Sequence, residues 1–305
     1  MSFEVVVDWS PVHELFASLW AFTDHKLMKN LEIGQQWYRK TAEQVGSGID
    51  VISNTCGRRN KATLSAHALL RECPESMTPE RFLDWLRGLG GEDIARYGMS
   101  GPHRSRNEAE GLLKQRDDLA TGLEMWNCRY FSSVDSGIIH SLKMESRARS
   151  AEVARVDPQD AVEDATNGIL LADPGIETVV LTPQYHFRPY NIHGLLGSTA
   201  VYMYPVDLQS AVDSDPPPQL ERLARAVSDP SRLRILKFLN GQARSFTEIL
   251  EFSGLAKSTV HYHMVVLRAA GIVRLVETRD ATLYTLRPGY SAGIGAMLRR
   301  YVEGL

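Results

Sequence analysis

The stretch that decides the fold is STVHYHMVVLRAAGIV, residues 258–273. The apolar side chains at positions 260, 264 and 267 are spaced as one face of an α-helix, whereas Ser258, His261 and Tyr262 point away from that face. Gly271 then ends the helix, and the β-branched pair that follows begins a strand. The sequence therefore predicts a short amphipathic helix that runs directly into a strand.

Two more helices are predicted upstream of this stretch. Asp229 and Pro230 are typical of a helix start, because the aspartate can accept hydrogen bonds from free backbone N–H groups and proline fits the first turn. Ser245 and Glu248 have the three-residue spacing of a capping box at the start of the next helix. Gly254 allows the sharp turn that joins this second helix to the third.

A β-hairpin is predicted downstream of the third helix. Residues 272–277 and 282–286 are rich in β-branched and aromatic side chains, and a short segment, residues 278–281, separates them. The order helix, helix, turn, helix, hairpin places a basic hairpin tip beside the outward face of the third helix. Both elements can meet a phosphate backbone together, which points to a nucleic acid as the partner.

Three runs in this region are distinctive: LARAVSDPSRLRIL at 223–236, STVHYH at 258–263 and LRAAGIV at 267–273. On these runs, residues 220–288 resemble the winged helix-turn-helix of the ArsR-type (arsenic-repressor-like) bacterial transcription regulators, of the longer kind with a large N-terminal region of unknown function. The resemblance implies a symmetric dimer on double-stranded DNA. The third helix, about 258–270, would lie in the major groove, and the wing, about 272–286, on the backbone or minor groove.

Metal-sensing members of that family carry a cysteine pair in the helix equivalent to residues 247–252, or Asp/His ligands in a helix after the wing. Neither set is present in this sequence. Two histidines spaced like His261 and His263 diverge on a helix and cannot comfortably share one ion. No metal site and no cofactor is therefore expected.

DNA contacts are assigned to the third helix, to the residues before the second helix and to the wing. His261 and Tyr262 are expected to face the groove, Arg279 to support from the wing, and His263 to be partly buried and to bond phosphate or backbone. The candidate DNA-binding residues are Arg244, Ser245, Lys257, Ser258, Thr259, His261, Tyr262, His263, Arg268, Arg274, Arg279, Thr282 and Tyr284.

The charge distribution also favours a nucleic-acid partner for the C-terminal end. Residues 216–305 hold 13 lysines and arginines against 7 aspartates and glutamates, a net charge of +6. The chain totals of 34 and 37 leave 21 against 30 for residues 1–215, a net charge of −9. The basic end can displace counterions from DNA phosphates, whereas the acidic remainder would be repelled by DNA.

The remaining composition is that of an ordinary globular protein. A chain of 305 residues that is 43% hydrophobic can bury a sizeable core and is expected to hold about two domains. No apolar run has the length of a membrane span and no signal-peptide pattern is present, so a cytoplasmic protein without a membrane partner is expected. Cys56, Cys73 and Cys128 are widely spaced and are interpreted as isolated thiols.

Four segments are predicted along the chain. Residues 1–212 form a mostly helical sensing or oligomerisation domain, and the proline-rich residues 213–218 form a stiff linker. Residues 219–290 form the winged helix-turn-helix, and residues 291–305 form a C-terminal helix that packs on residues 220–227 of the same or a partner chain. The fold class is α+β, mainly helical, with a small β-sheet in the N-terminal domain.

Periodicity and start signals predict the elements of the N-terminal domain. The predicted helices lie at about 13–22, 33–53, 60–72 and 79–88, in two long stretches between 106 and 156, and from Asp157 onward. The predicted strands, which could pair into the small sheet, lie at about 3–9, 178–181 and 199–204.

The segment from Tyr185 to His193 is the strongest candidate for a small-molecule effector site, because it concentrates aromatic rings, imidazoles and a guanidinium. A planar or anionic effector could stack on the rings and pair with Arg188. The alternative is a loop whose aromatic side chains simply pack over the helices. The candidate effector-binding residues are Tyr185, His186, Phe187, Arg188, Tyr190 and His193.

Three functions remain open at this point. The favoured one is a homodimeric, sequence-specific DNA-binding transcriptional regulator that an unknown effector or partner controls through the N-terminal domain. The second is a DNA-binding adaptor or architectural protein that senses nothing. The third is an enzyme fused to a DNA-binding domain. Residues 1–212 contain no nucleophile, acid/base pair or metal set at motif strength, so no enzymatic activity is expected.

Overall fold

The structure of the protein, a computed structural model, describes residues 3–25, 27–56, 65–97, 106–208 and 215–304, with the backbone alone at 106–109. The first two residues of the predicted linker 213–218, and the first part of the helix predicted at 60–72, lie outside these ranges. Across the described ranges, no helix combines the length and the apolar content that a membrane crossing requires.

Contacts within the chain divide it into two units. The C-terminal unit consists of Met1–Val5, Glu152–Val179 and Asp207–Leu305, and the N-terminal unit consists of Val6–Ala151 and Val180–Val206. The sequence predicts a domain boundary at the linker 213–218. The division by contacts differs from that boundary, because residues 152–179 group with the C-terminal elements.

Helices and strands are numbered in chain order. The described chain begins with β1 (Glu4–Val7), α1 (Pro11–Thr23), α2 (Gly34–Val45), α3 (Gly48–Cys56), α4 (Ala66–Leu70), α5 (Pro79–Gly88), α6 (Gly91–Arg96), α7 (Arg106–Arg129) and α8 (Ser136–Val153). It continues with α9 (Pro158–Ala165), β2 (Ile169–Leu171), β3 (Thr178–Gln184), β4 (Ile192–Leu196) and β5 (Thr199–Pro205). The last elements are α10 (Pro218–Val227), α11 (Pro230–Phe238), β6 (Arg244–Ser245), α12 (Phe246–Ser253), α13 (Lys257–Ala269), β7 (Val273–Glu277), β8 (Thr282–Leu286) and α14 (Tyr290–Glu303).

The predicted fold class, α+β and mainly helical, is confirmed. The helices predicted at 79–88 and from Asp157 form as α5 and α9, and the two long stretches form as α7 and α8. The single helix predicted at 33–53 is wrong. Gly46, at φ 56°, ends α2, and the separate helix α3 begins at Gly48.

The predicted small sheet forms with one strand more than expected, in the order β1-β3-β5-β4. The additional strand β4 pairs antiparallel with β5, and Ile192 lies opposite Met203. Its sequence, IHGLL, contains a glycine and one β-branched residue, so it has a weak strand pattern.

Helices α1, α5 and α7 contribute large aromatic side chains to the core of the N-terminal unit. The Phe16 and Phe82 rings meet edge to face at 5.8 Å, and the Phe22 and Trp126 rings lie 4.9 Å apart. Trp126 is fully buried, and its Nε1–H donates to Ser18 Oγ at 3.0 Å. The single polar atom of the indole is therefore satisfied inside the core.

A buried carboxyl group on α1 anchors the turn that follows β3. Glu14 accepts hydrogen bonds from the backbone N–H groups of Tyr185 and His186, each at 3.0 Å, and also bonds His186 Nδ1. The other ring nitrogen of His186 lies 2.6 Å from the Tyr130 hydroxyl, which accepts a bond of 2.7 Å from Trp37 Nε1. The chain of bonds joins α1, α2 and the residue that follows α7 to this turn.

Replacement of Glu14 should therefore destabilise the N-terminal unit. Glu14→Ala leaves two buried N–H groups and an imidazole without their acceptor, so the free energy of unfolding should fall by about 3–5 kcal/mol. Urea unfolding followed by tryptophan fluorescence measures this unit, because all five tryptophans lie in it, at Trp9, Trp20, Trp37, Trp85 and Trp126.

The matched control is Glu92→Ala, which removes an exposed glutamate from α6. Its free energy of unfolding should change by no more than about 0.5 kcal/mol. Equal losses in the two variants would show that the buried bonds of Glu14 do not support the unit.

The C-terminal unit contains a second hydrophobic core between helices α10 to α13 and a four-stranded sheet. The sheet order is β2-β7-β8-β6. The predicted hairpin forms as β7 and β8, with Val273 opposite Leu286. Strand β2 was not predicted; it runs parallel to β7, with Ile169 opposite Leu275.

Candidate nucleic-acid interface

Asp229 caps the start of α11, as its sequence position predicts. Its Oδ1 accepts hydrogen bonds from the Arg232 and Ser231 N–H groups at 3.1 and 2.7 Å. These backbone bonds favour the ionised carboxylate and hold the pKa of Asp229 below its usual value. The cap fixes the residue at which α11 begins.

The predicted capping box forms at the start of α12. The Glu248 N–H donates to Ser245 Oγ at 3.2 Å, and the Ser245 N–H donates to the Glu248 carboxylate at 2.8 Å. The second bond holds the pKa of Glu248 below its usual value. Gly254, at φ 63°, ends α12 in the left-handed conformation that favours glycine, and α13 begins three residues later at Lys257. The Ser245 hydroxyl is used by this cap.

Helix α13 divides into a buried face and an exposed face. Val260, Met264 and Leu267 are at most 2% exposed and lie in the core. The polar residues of the first turn and a half project to solvent, with Tyr262 43% exposed. These exposed residues are Lys257, Ser258, Thr259, His261 and Tyr262.

His263 faces the protein interior and is 6% exposed. Its Nδ1 lies 3.4 Å from Arg232 Nη1 on α11. Burial lowers the pKa of His263, and the nearby Asp229 carboxylate opposes that shift. The position of His263 therefore does not support its assignment to the DNA-binding set, because the side chain packs between α11 and α13.

The wing presents its tip to solvent. Thr278 and Ala281 close the turn through a backbone bond of 2.9 Å, and Arg279 is exposed between them. Thr282, at the start of β8, is also exposed. Tyr284 is half-buried, and burial raises the pKa of its hydroxyl. Arg279 and Thr282 are thus the wing candidates that reach solvent most openly.

Three other candidate arginines are less available. Arg244 forms an ion pair of 3.1 Å with Glu248. Arg274 forms an ion pair of 2.7 Å with Glu163, which lies on α9. Arg268 is half-buried near the end of α13. Arg244 and Arg274 therefore act first as partners of carboxylates within the C-terminal unit.

Arg232 supports this site, although it is not among the residues that the sequence predicts for DNA binding. The side chain is buried, and it donates to the backbone oxygens of Ala226 and Arg225 at 2.8 and 2.6 Å. These oxygens belong to the last turn of α10, where the backbone carbonyl groups have no hydrogen-bond donor within their own helix. An arginine next to a helix start is usually interpreted as a solvated charge, so the sequence carried no signal for this role.

The predicted effector segment belongs to the N-terminal unit and is mostly packed inside it. His186 and Phe187 are buried, and the Arg188 guanidinium lies over the Tyr185 ring, 3.7 Å from its centroid. Tyr185 and Tyr190 are half-buried, and His193 is exposed on β4. An effector at this segment stays a prediction. Nowhere in the described ranges do three His, Cys, Asp or Glu side chains form a group that could hold a metal ion.

Helices α11, α12 and α13 with the hairpin β7–β8 define a winged helix-turn-helix domain. Residues 227–276 match a sequence family described as a helix-turn-helix domain. The chain is also 32% identical over 79 residues to YceK, an uncharacterized HTH-type transcriptional regulator of Bacillus subtilis (strain 168); the match covers 23% of this chain and 79% of YceK. The chain therefore belongs to the HTH-type transcriptional regulators, which are DNA-binding proteins, and the resemblance stated from residues 220–288 is confirmed.

Three solved structures are similar to the same end of the chain. An ArsR-like transcriptional regulator from Rhodococcus sp. RHA1 is 21% identical and has a TM-score of 0.26; the match covers 28% of this chain and 81% of that protein. HlyU from Vibrio cholerae N16961 is 27% identical and has a TM-score of 0.23; the match covers 28% of this chain and 92% of HlyU. NolR from Sinorhizobium fredii is 21% identical and has a TM-score of 0.25; the match covers 32% of this chain and 97% of NolR.

The buried hydrogen bonds of Arg232 allow a test of its role in holding α10 and α11 together. Arg232→Met keeps an unbranched side chain but leaves the Ala226 and Arg225 oxygens without their donor, which should cost about 1–3 kcal/mol. Amide hydrogen exchange in α10 and α11 should accelerate accordingly.

The control variant is Arg234→Met, which removes an exposed arginine from the same helix. Exchange in α10 and α11 should then stay at the wild-type rate. Unchanged exchange in Arg232→Met as well would contradict a structural role for the buried guanidinium.

Proposed function

We propose that the protein is a homodimeric regulator that binds a specific sequence of double-stranded DNA. In this proposal α13 lies in the major groove, the wing β7–β8 contacts the backbone or minor groove, and an effector or partner acts on the N-terminal domain, residues 1–212. The observation that carries the proposal is the set of exposed polar residues at the start of α13, on a helix whose opposite face is buried. These residues are Lys257, Ser258, Thr259, His261 and Tyr262. Such an exposed face can enter a groove without disturbing the core.

The start of α13 offers a second feature that suits DNA. Helices α11 and α12 have side-chain caps from Asp229 and Ser245, whereas Ala256 provides no side-chain cap for α13. The backbone N–H groups of Lys257 and Ser258, together with the Lys257 side chain, can therefore donate to a phosphate oxygen. A phosphate at this point would orient the helix and bring His261 and Tyr262 to the base edges.

The wing supplies an independent cationic contact. Arg279 is exposed at the hairpin tip, and Thr282 lies exposed at the start of β8. An arginine on a phosphate contributes to affinity for every sequence, whereas a base-edge contact from α13 discriminates between sequences. The two groups of residues should therefore respond differently to substitution.

Substitutions at the two surfaces should separate affinity from specificity. Arg279→Ala should weaken binding by a similar factor on all duplexes and lower the slope of log affinity against log salt by about 1. His261→Ala or Tyr262→Ala should lower the preference for the selected site by roughly 5- to 150-fold, which corresponds to about 1–3 kcal/mol. Fluorescence anisotropy across a salt series measures both quantities, on a duplex selected by the wild-type protein and on random duplex.

Arg299→Ala is the control for charge, because it removes an exposed arginine from α14. It should leave the preference for the selected duplex unchanged. Identical losses of preference from Arg279→Ala, His261→Ala and Tyr262→Ala would refute the assignment of these residues.

Helix α14 supports the proposed dimer. Tyr290, Ile294 and Met297 pack against the core of the C-terminal unit. Leu298 and Val302, one helical turn apart, are 50% and 71% exposed. Apolar side chains at this spacing form a stripe that a second copy of the helix could cover.

The stripe gives a direct test of the dimer. The double variant Leu298→Glu with Val302→Glu should convert the dimer to a monomer in sedimentation velocity, because charges would be buried against their own copies. Ala296→Glu places one charge on the exposed opposite face of α14 and should leave the dimer intact. A double variant that stays dimeric would place the interface elsewhere.

A further inference from the structure

The α9–β2 segment, Pro158–Leu171, belongs to the C-terminal unit although it lies far upstream of the winged helix-turn-helix in sequence. It is outside the family match at residues 227–276 and outside the domain predicted at 219–290. It contacts the wing and the end of α13 through backbone bonds, an ion-pair cluster and a side-chain cap. The backbone bonds involve β2, the ion pairs involve Glu163, and the cap involves Asn167.

Backbone bonds join the segment to the edge of the wing. Strand β2 runs parallel to β7, the Leu275 N–H donates to Gly168 O at 2.8 Å, and the Ala172 N–H donates to Glu277 O at 2.7 Å. Ile169 is 1% exposed beside the buried Leu275. The wing is therefore the inner part of a wider sheet and has no free edge along β7.

An ion-pair cluster joins α9 to both strands of the wing. Glu163 is 8% exposed, and its carboxylate pairs with Arg274 at 2.7 Å and with Arg287 at 3.2 Å. Arg274 lies on β7 and Arg287 directly follows β8. One buried carboxylate thus holds the two strands at the base of the wing. Its removal would take the carboxylate partner from Arg274 and leave Arg287 with the longer ion pair to Asp164, at 3.6 Å.

A side-chain cap joins the segment to the end of α13. Asn167 adopts a left-handed backbone at φ 58°, and its Nδ2 donates to Ala269 O at 2.9 Å and to Arg268 O at 3.4 Å. Arg287 Nη1 donates to Asn167 Oδ1 at 3.3 Å. Gly271, at φ 68°, follows the helix, and a Cβ there would overlap the Asn167 side-chain oxygen. Asn167 therefore supplies a donor to the Ala269 carbonyl at the end of α13, whereas the Arg268 carbonyl also accepts from the Gly271 N–H at 2.8 Å.

We propose that Glu163 and Asn167 are positioning residues of the DNA-binding site. Asn167 fixes the C-terminal end of α13, Glu163 fixes the base of the wing, and Arg287 contacts both of them. The two DNA-contacting elements thereby keep one relative geometry. This inference rests on the proposed function. A rigid spacing between α13 and the wing raises specificity, because only a duplex of matching shape meets both at once.

The same contacts assign Arg274 to the frame of the wing. Two effects of removing Glu163 can then be separated. If Glu163 positions the wing, its loss lowers the preference for the selected duplex. If Glu163 only neutralises Arg274, its loss frees a cation, so affinity rises on every duplex and the salt dependence becomes steeper.

The experiment uses the full chain with Glu163→Gln, which keeps the side-chain size, and Asn167→Gly, which keeps the left-handed backbone. Asp160→Asn is the control, because it removes an exposed carboxylate from the same helix. Fluorescence anisotropy in a salt series is measured on a duplex that the wild-type protein selects from a randomised pool, and on random duplex. Amide hydrogen exchange is measured in residues 273–286 and at the end of α13.

Each of the two variants should weaken binding to the selected duplex about tenfold, a change of roughly 1.4 kcal/mol, with less than about twofold change on random duplex and an unchanged salt slope. Exchange should accelerate in the wing for Glu163→Gln and at the end of α13 for Asn167→Gly. A lower folded fraction alone would weaken both duplexes equally, so the ratio of the two affinities reports geometry.

Wild-type exchange rates in both variants would overturn the proposal, as would equal weakening on the two duplexes. Tighter binding to both duplexes with a steeper salt slope would show that Glu163 acts only on the charge of Arg274. If the wild-type protein selects no duplex at all, the proposed function fails, and the exchange rates alone then decide whether the segment holds the wing and α13.

Discussion

The burial of one face of α13 is the constraint on which the C-terminal unit depends. Val260, Met264 and Leu267 fill the space between the helices and the sheet. They lie on the same rigid helix as the exposed residues 257–259, 261 and 262. Packing therefore fixes the direction in which the polar side chains project. The caps at Asp229 and Ser245 add to this constraint, because they set where α11 and α12 begin. Packing inside the protein therefore determines the arrangement of the exposed polar residues of α13 in the absence of DNA.

The basic charge of this unit serves two purposes. Arg232, Arg274 and Arg287 donate to carbonyl groups or carboxylates within the unit, and Arg244 pairs with Glu248. A count of lysines and arginines from sequence does not distinguish these internal cations from those that face solvent. The net charge of +6 in residues 216–305 therefore overstates the charge that is available for phosphates. Lys257 and Arg279 are exposed cations at the ends of the proposed interface that remain available.

Local signals predicted most of the C-terminal fold, whereas contacts between distant residues escaped prediction. Capping residues, the left-handed Gly254 and the apolar spacing of α13 each act over a few neighbours, so they are visible in sequence. Strand β2 is three residues long and forms only because β7 offers a partner. The sequence predicts that His263 is partly buried, but its contact with Arg232 joins residues that no short pattern connects. The same holds for the pairing of Arg274 with Glu163. In the effector segment, composition suggested a pocket, but the fold uses Glu14 to bury His186.

The pairing of Glu163 with Arg274 joins residues that are 111 positions apart in the chain. Contacts of such separation form late, because the intervening chain must first be ordered enough to bring its ends together. During synthesis the α9–β2 segment leaves the ribosome long before the wing has been translated. Its apolar strand β2 cannot pair with β7 until then. The N-terminal unit, whose last residue is Val206, can fold in that interval. We expect the N-terminal unit to fold before the DNA-binding unit on the ribosome, because the α9–β2 segment can meet the wing only after residues 273–287 have been translated.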